Sequence, residues 1–232
     1  HAGAHQGFVD RPGRLPPFSD RPDHQRLAAA HVARSEDSVA AGPVAAVAFG
    51  RRARVAATVP VDAEGFQGHT HAIGGRAVRE ALDAFETARA ANGASDHRHH
   101  IAHIQVVHPD DIPRFRELDV VANAQPLWAV NEGQMLHLTI PFLGAERSKW
   151  QYPFASLVRS GATLAMGSDW SVSSANPLWE MHVAVNRTAP SAYEYGGGTG
   201  EPFLPDERID LATALAGFTI NSAFVNHLDD LT

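Results

Sequence analysis

The stretch GHTHAIGGRAVREALDAFETARAANG, residues 68–93, decides the fold. Its first part, GHTHAI, is a short run bounded by glycines and reads as a β-strand. His69 and His71 are two apart, so on a strand both side chains point to one side of the sheet. The second part carries Val78, Leu82 and Phe85 at helical spacing and stops at Asn92-Gly93. A strand running straight into an amphipathic helix is the opening of a βαβ unit.

The same alternation continues outward. RHHIAHIQVV (98–107) reads as the next strand, and HPDDIPRFRELD (108–119) as a short helix with Pro109 in its first turn. VVANAQP (120–126) is a third strand, and a long connection (127–153) leads to a helix at FASLVRSG (154–161). ATLAMGSDW (162–170) is a strand ending in a turn. NPLWEMHVAVNR (176–187) and DLATALAGFTINSAFVNHL (210–228) read as helical. Residues 1–53 differ: they are rich in Pro, Gly, Ala, Arg and His, with no sustained period. A helix at 24–37 and a strand at 42–50 are the only elements expected there. The domain boundaries expected are thus 1–53, a segment of uncertain structure, and 54–232, a barrel-like part.

His71, His103 and Asp169 each fall at the carboxyl end of a predicted strand. A (β/α)8 barrel spends about 30 residues per unit, so their spacing suits strands n, n+1 and n+3. In such a barrel these ends converge on one mouth, and two imidazoles with a carboxylate make a borderline-hard metal site. His69 is expected one layer deeper, behind the ligands. Alternation counted back from His103 puts His99, Ile101 and His103 on the inward face and turns His100 toward the helices. The dense DHRHH (96–100) is expected to be a solvated strand approach, though it also invites a metal reading.

Composition narrows the classes. The chain has no cysteine, so a metal would need histidine and carboxylate. A net charge of −7 with both signs interspersed argues against nucleic acid as a partner. No apolar run approaches the length of a membrane span, and no basic-then-apolar leader opens the chain, so a cytoplasmic setting is expected.

Four blocks in order, GHTHAIGGRAVREALDAFETARAANG, RHHIAHIQVVHPDDIPRF, NAQPLW and LAMGSDWSV, resemble the second half of the barrel of amidohydrolase family 3, in the metal-dependent amidohydrolase superfamily. The likeness covers roughly residues 60–232. It implies an α/β fold, a partial TIM-type barrel of about strands 5–8. It implies His71 and His103 as ligands of a divalent metal, commonly zinc, and Asp169 beside that metal as proton acceptor. The implied reaction is hydrolysis of a non-peptide carbon–nitrogen bond in a small amide, of the N-acyl or N-formyl amine type. Gln125 and Trp128, just past the third strand of the run, are candidate substrate contacts by position.

The chain departs from the family pattern at Gly75 (usually Asp), Ala102 (often Glu) and Ser171 (usually Pro). It also shows no strand ending in His-x-His ahead of residue 66, where the family places further ligands. These departures imply a carboxyl-terminal half barrel, incomplete and inactive alone, with open sheet edges through which it could self-associate. The alternatives are a non-catalytic metal-binding or association module, and a half barrel completed by pairing two chains.

Overall fold

The computed structural model describes residues 32–33, 44–46, 51–191 and 200–231. One six-stranded sheet runs in chain order: β1 (Val32–Ala33), β2 (Val44–Ala46), β3 (Gln67–Ala72), β4 (His100–His103), β5 (Val121–Ala124) and β6 (Leu164–Met166). β1 is antiparallel to β2, and every later pair is parallel. Parallel neighbours in sequence order, joined by helical crossovers, form an arc of a (β/α)8-type barrel. The strand expected at 42–50 is β2. Val32–Ala33, inside the helix expected at 24–37, is extended, and the rest of that stretch lies outside the described residues. Helix α1 (Arg51–Ala63) crosses the boundary expected at 54 and has Pro60 inside it.

Helix α2 (Gly75–Asn92) forms as its pattern predicts. Val78, Ala81, Leu82, Ala84, Phe85 and Ala88 are buried against the sheet. Burial of each large side chain among them contributes about 1.5–3 kcal/mol. The helix stops because Gly93 adopts φ 92, with its N–H bonded to the Arg89 carbonyl. After β4, Pro109–Asp111 make a 3-10 turn leading into α3 (Ile112–Glu117). Buried Asp111 accepts there from Arg79 and Arg114.

The long connection after β5 is structured. It holds a 3-10 turn (Pro126–Trp128), a π-helical turn (Met135–Thr139), α4 (Ile140–Arg147) and a second 3-10 turn (Ser148–Trp150). Helix α5 (Phe154–Arg159) then precedes β6, and α6 (Pro177–Asn186) is capped by Asn176, whose side chain accepts from the Leu178 N–H. The last helical stretch is divided at Thr219 (φ −119, ψ −94) into α7 (Leu211–Phe218) and α8 (Ile220–Val225).

The main core lies between the sheet and its helices, with Ile101, Ala122, Leu164 and Met166 on the sheet side and Val78, Leu82 and Phe115 among the helical partners. The opposite face carries a smaller cluster in which Val225 packs on Val121 and Ala165. Asn221 and Ser222 donate to the Leu164 and Met166 carbonyls at 3.0 and 2.9 Å. Those carbonyls would otherwise form a free edge, so α8 blunts the β6 side that was expected to stand open.

The register corrects the facing of β4. His69 pairs with His100 and Thr70 with Ile101, so His100 shares the inner face with His69, and Ile101 faces the helices. His99 lies on the helix side, stacked 4.6 Å from Phe85. The count from His103 fails because His103 and Ile104 have positive φ, 72 and 44. That left-handed turn breaks the alternation and swings the His103 ring to the inner side.

Candidate metal centre

β3 and β4 end side by side, and they bring the rings of His71 and His103 to 4.2 Å between centroids. Among the described residues, no hydrogen bond engages a ring nitrogen of either one. The His103 ring is held by its backbone instead: its N–H donates to Gln125 Oε1 at 2.8 Å, and Gln125 Nε2 donates to Asn123 Oδ1 at 3.0 Å. Burial pushes the His103 imidazole below its ordinary value, the neighbouring His71 adds to this, and Asp169 opposes it.

Asp169 sits three residues past β6, on a turn with φ 56. Its carbonyl accepts from the N–H groups of Val172 (2.7 Å) and Ser173 (3.2 Å), which pins the backbone and leaves the carboxylate in the cavity. The α6 cap is Asn176, so Asp169 is not engaged as a helix cap. Behind the turn, fully buried Glu180 accepts from the Leu127 N–H at 2.6 Å and from Ser173 Oγ at 3.4 Å, joining the loops after β5 and β6. Burial pushes its carboxyl up to about 8.

His71, His103 and Asp169 line one cavity of about 570 Å³, together with Trp128, Gln105, Glu132, Gln134 and Tyr152. Trp128 thus shares the cavity with His71, His103 and Asp169. Gln125 is buried, both ends of its amide are occupied, and it does not line that cavity. His69 is one layer deeper on the same face, 2.5 Å from His100 between ring nitrogens. Burial lowers both rings, His100 to about 4. Glu132 and Tyr152 went unnoticed in the sequence. Their signal is position, in the long connection that follows a strand's carboxyl end, where barrel enzymes build their sites.

A second cluster lies at the amino ends of the strands. Asp62 Oδ1 receives His97 Nδ1 at 2.7 Å and His99 Nε2 at 2.9 Å, and Asn92 donates to Oδ2 at 2.6 Å. Among the described residues this is the trio whose donor atoms all lie within 4.8 Å of one another, a closeness that His71, His103 and Asp169 do not reach. Yet His99 Nδ1 accepts the Gly68 N–H at 2.8 Å. A neutral imidazole that accepts at Nδ1 carries its proton on Nε2, which here points at Asp62. His99 thus has no lone pair free for a cation. Burial pushes the Asp62 carboxyl up, and the bonds from Asn92, His97 and His99 outweigh it, leaving the group below its ordinary value. DHRHH is accordingly neither simply solvated nor a metal site: it supplies two arms of a hydrogen-bonded clamp.

The chain is 37% identical over 173 residues to Protein LONG AFTER FAR-RED 3 of Arabidopsis thaliana, covering 74% of this chain and 28% of that protein. It is 28% identical over 134 residues to the putative amidohydrolase YtcJ of Bacillus subtilis (strain 168), covering 58% of this chain and 24% of the other. Among solved structures, an uncharacterized metal-dependent hydrolase from Pyrococcus furiosus matches with a TM-score of 0.61 at 28% identity, over 79% of this chain and 34% of that one. The chain therefore spans about a third or less of the length of these relatives. The family model described as "Amidohydrolase family" matches residues 3–232, which extends the resemblance beyond 60–232 into the opening segment. With its strand order, its histidines at strand ends and a match along nearly its whole length, the chain belongs to the amidohydrolase family.

Proposed function

We propose that the protein carrying this chain is a metal-dependent hydrolase of non-peptide carbon–nitrogen bonds, acting on N-acyl or N-formyl amines. The observation that supports it is the pair of imidazoles, 4.2 Å apart and, among the described residues, free of hydrogen bonds at their ring nitrogens, sharing a cavity with Asp169. Two nitrogen donors and a carboxylate suit zinc better than magnesium or calcium, which prefer oxygen. His71 and His103 would hold the ion, with Asp169 beside it.

When bound, such an ion polarises an amide carbonyl and lowers the pKa of its water to near neutrality. Asp169 takes the proton of the attacking water on a carboxylate oxygen and returns it to the departing nitrogen, so that one amide and one water give one acid and one amine. Gln125 keeps His103 turned inward through the bond to its N–H, and Glu180 fixes the turn under Asp169. Trp128 supplies an apolar wall.

Amine release from an N-acyl amine, before and after chelation, tests the proposal. The protein carrying this chain should lose turnover on chelation and regain it with zinc. Turnover that survives complete metal removal would overturn it. A second reading, a metal-binding module without turnover, draws on the wider spacing of His71, His103 and Asp169. For the isolated chain we expect zinc retention with little or no amine release, and brisk zinc-dependent release would defeat that expectation.

A further inference from the structure

The cavity that holds His71, His103 and Asp169 contains a second carboxylate, Glu132, and among the described residues no lysine or arginine lines it. Among the described residues, no hydrogen bond or ion pair engages the Glu132 side chain. Its backbone is fixed: the N–H bonds to the Val130 carbonyl at 3.0 Å, and its own carbonyl accepts from Leu136 at 2.9 Å as the chain enters the π-helical turn. Among the described residues the half-buried carboxylate thus has a fixed backbone and no partner. Burial raises its proton affinity, as expected of an acid with no counter-charge.

Trp128, Gln134 and Tyr152 line the same cavity. Tyr152 is nearly buried, and no hydrogen bond to its hydroxyl occurs among the described residues. A cavity wall that combines a carboxylate with aromatic side chains favours a cation over an anion.

We propose that Glu132 selects substrates whose organic part carries an ammonium or guanidinium group, seated against Trp128 while the amide lies toward His71, His103 and Asp169. The proposal rests on the hydrolase reading of that site, and it deepens that reading by naming the substrate class. It also assigns to Glu132 the role of a specificity residue distinct from the proton-transfer group.

Three matched amides separate the possibilities: N-acetyl-1,4-diaminobutane (cationic), N-pentylacetamide (neutral) and N-acetyl-4-aminobutanoate (anionic). Their binding to the whole chain is read by quenching of tryptophan fluorescence, with and without zinc. The cationic amide should bind about tenfold more tightly than the neutral one, and the anionic amide most weakly. Glu132→Gln, and independently Glu132→Ala, should erase that preference while leaving the neutral amide and zinc retention unchanged. Equal binding of the three amides, no measurable binding of the cationic one, or a preference that survives both substitutions would each overturn the proposal. Loss of zinc from Glu132→Gln would overturn it too, by making Glu132 a ligand. A cation preference that persists in a His71→Ala/His103→Ala chain would uphold Glu132 even if the hydrolase reading failed.

Discussion

The two ends of the same strands hold two clusters of the same residue types, and the tighter one is already bound up in its own hydrogen bonds. At the amino ends, Asp62, His97 and His99 lie within hydrogen-bond reach, and both His99 nitrogens and both Asp62 carboxylate oxygens are engaged: Gly68 N–H on His99 Nδ1, His99 Nε2 and His97 Nδ1 on Asp62 Oδ1, Asn92 on Oδ2. At the carboxyl ends, His71, His103 and Asp169 stand further apart, and the two rings keep their nitrogens for something else. Closeness of donors thus does not identify a metal site. What decides is where the protons sit, since a ligand nitrogen needs a lone pair that no N–H already occupies.

This contrast predicts that damage at one end changes chemistry and damage at the other changes stability. The largest effect belongs to Asp169→Asn, which removes the proposed proton acceptor. It should lower turnover of the metal-loaded protein by about 10²–10⁴-fold with little change in melting temperature. Comparable losses from Asp62→Asn, at unchanged stability, would erase the distinction. Asp62→Ala should instead cost about 2–4 kcal/mol in urea unfolding, because it strands donors from Asn92, His97 and His99 around a buried position. Gln125→Ala joins the two ends. It leaves the His103 N–H without its acceptor, so about 1–3 kcal/mol of stability and part of the zinc affinity should fall together.

Acid sharpens the comparison further. Burial holds His99 below its ordinary value of 6.5, so the folded protein binds fewer protons than the unfolded chain between the two values. Stability should therefore be complete above about pH 6.5 and fall as the pH drops through the folded value. Asp62, held below 3.8, adds a second loss as the pH falls through its own lowered value. Denaturant midpoints at pH 8, 6, 5 and 3.5 check both, and a midpoint flat from pH 8 to 5 would contradict the first. The smallest effect is Gly75→Asp. The first turn of α2 has no acidic residue, and a Cβ at Gly75 meets nothing closer than 3.6 Å. A gain of about 0.3–1 kcal/mol follows from the helix dipole.

Much of this was legible in the residues because it rests on short-range periodicity. Val78, Leu82 and Phe85 announced α2, and the strand ends of His71, His103 and Asp169 followed from unit spacing. The facing of β4 was lost because one backbone dihedral, φ 72 at His103, breaks the alternation on which the count depended. Helix α1 was hidden by Pro60, which argues against a helix wherever the rest of the fold does not compensate. The clamp at Asp62 joins residues more than thirty positions apart, and no local pattern records that meeting. Glu132 looked like one more acid in a loop, and only the fold shows that it enters the cavity of His71, His103 and Asp169.

One measurement bears most directly on the contrast between the two clusters: cobalt(II) or zinc titration of the chain and two double variants, His71→Ala/His103→Ala and His97→Gln/His99→Gln. The first variant should lose at least about tenfold in affinity and the second should match the parent. Metal binding that survives loss of His71 and His103, or that disappears with His97 and His99, would place the ion at the wrong end of the strands and contradict the assignment.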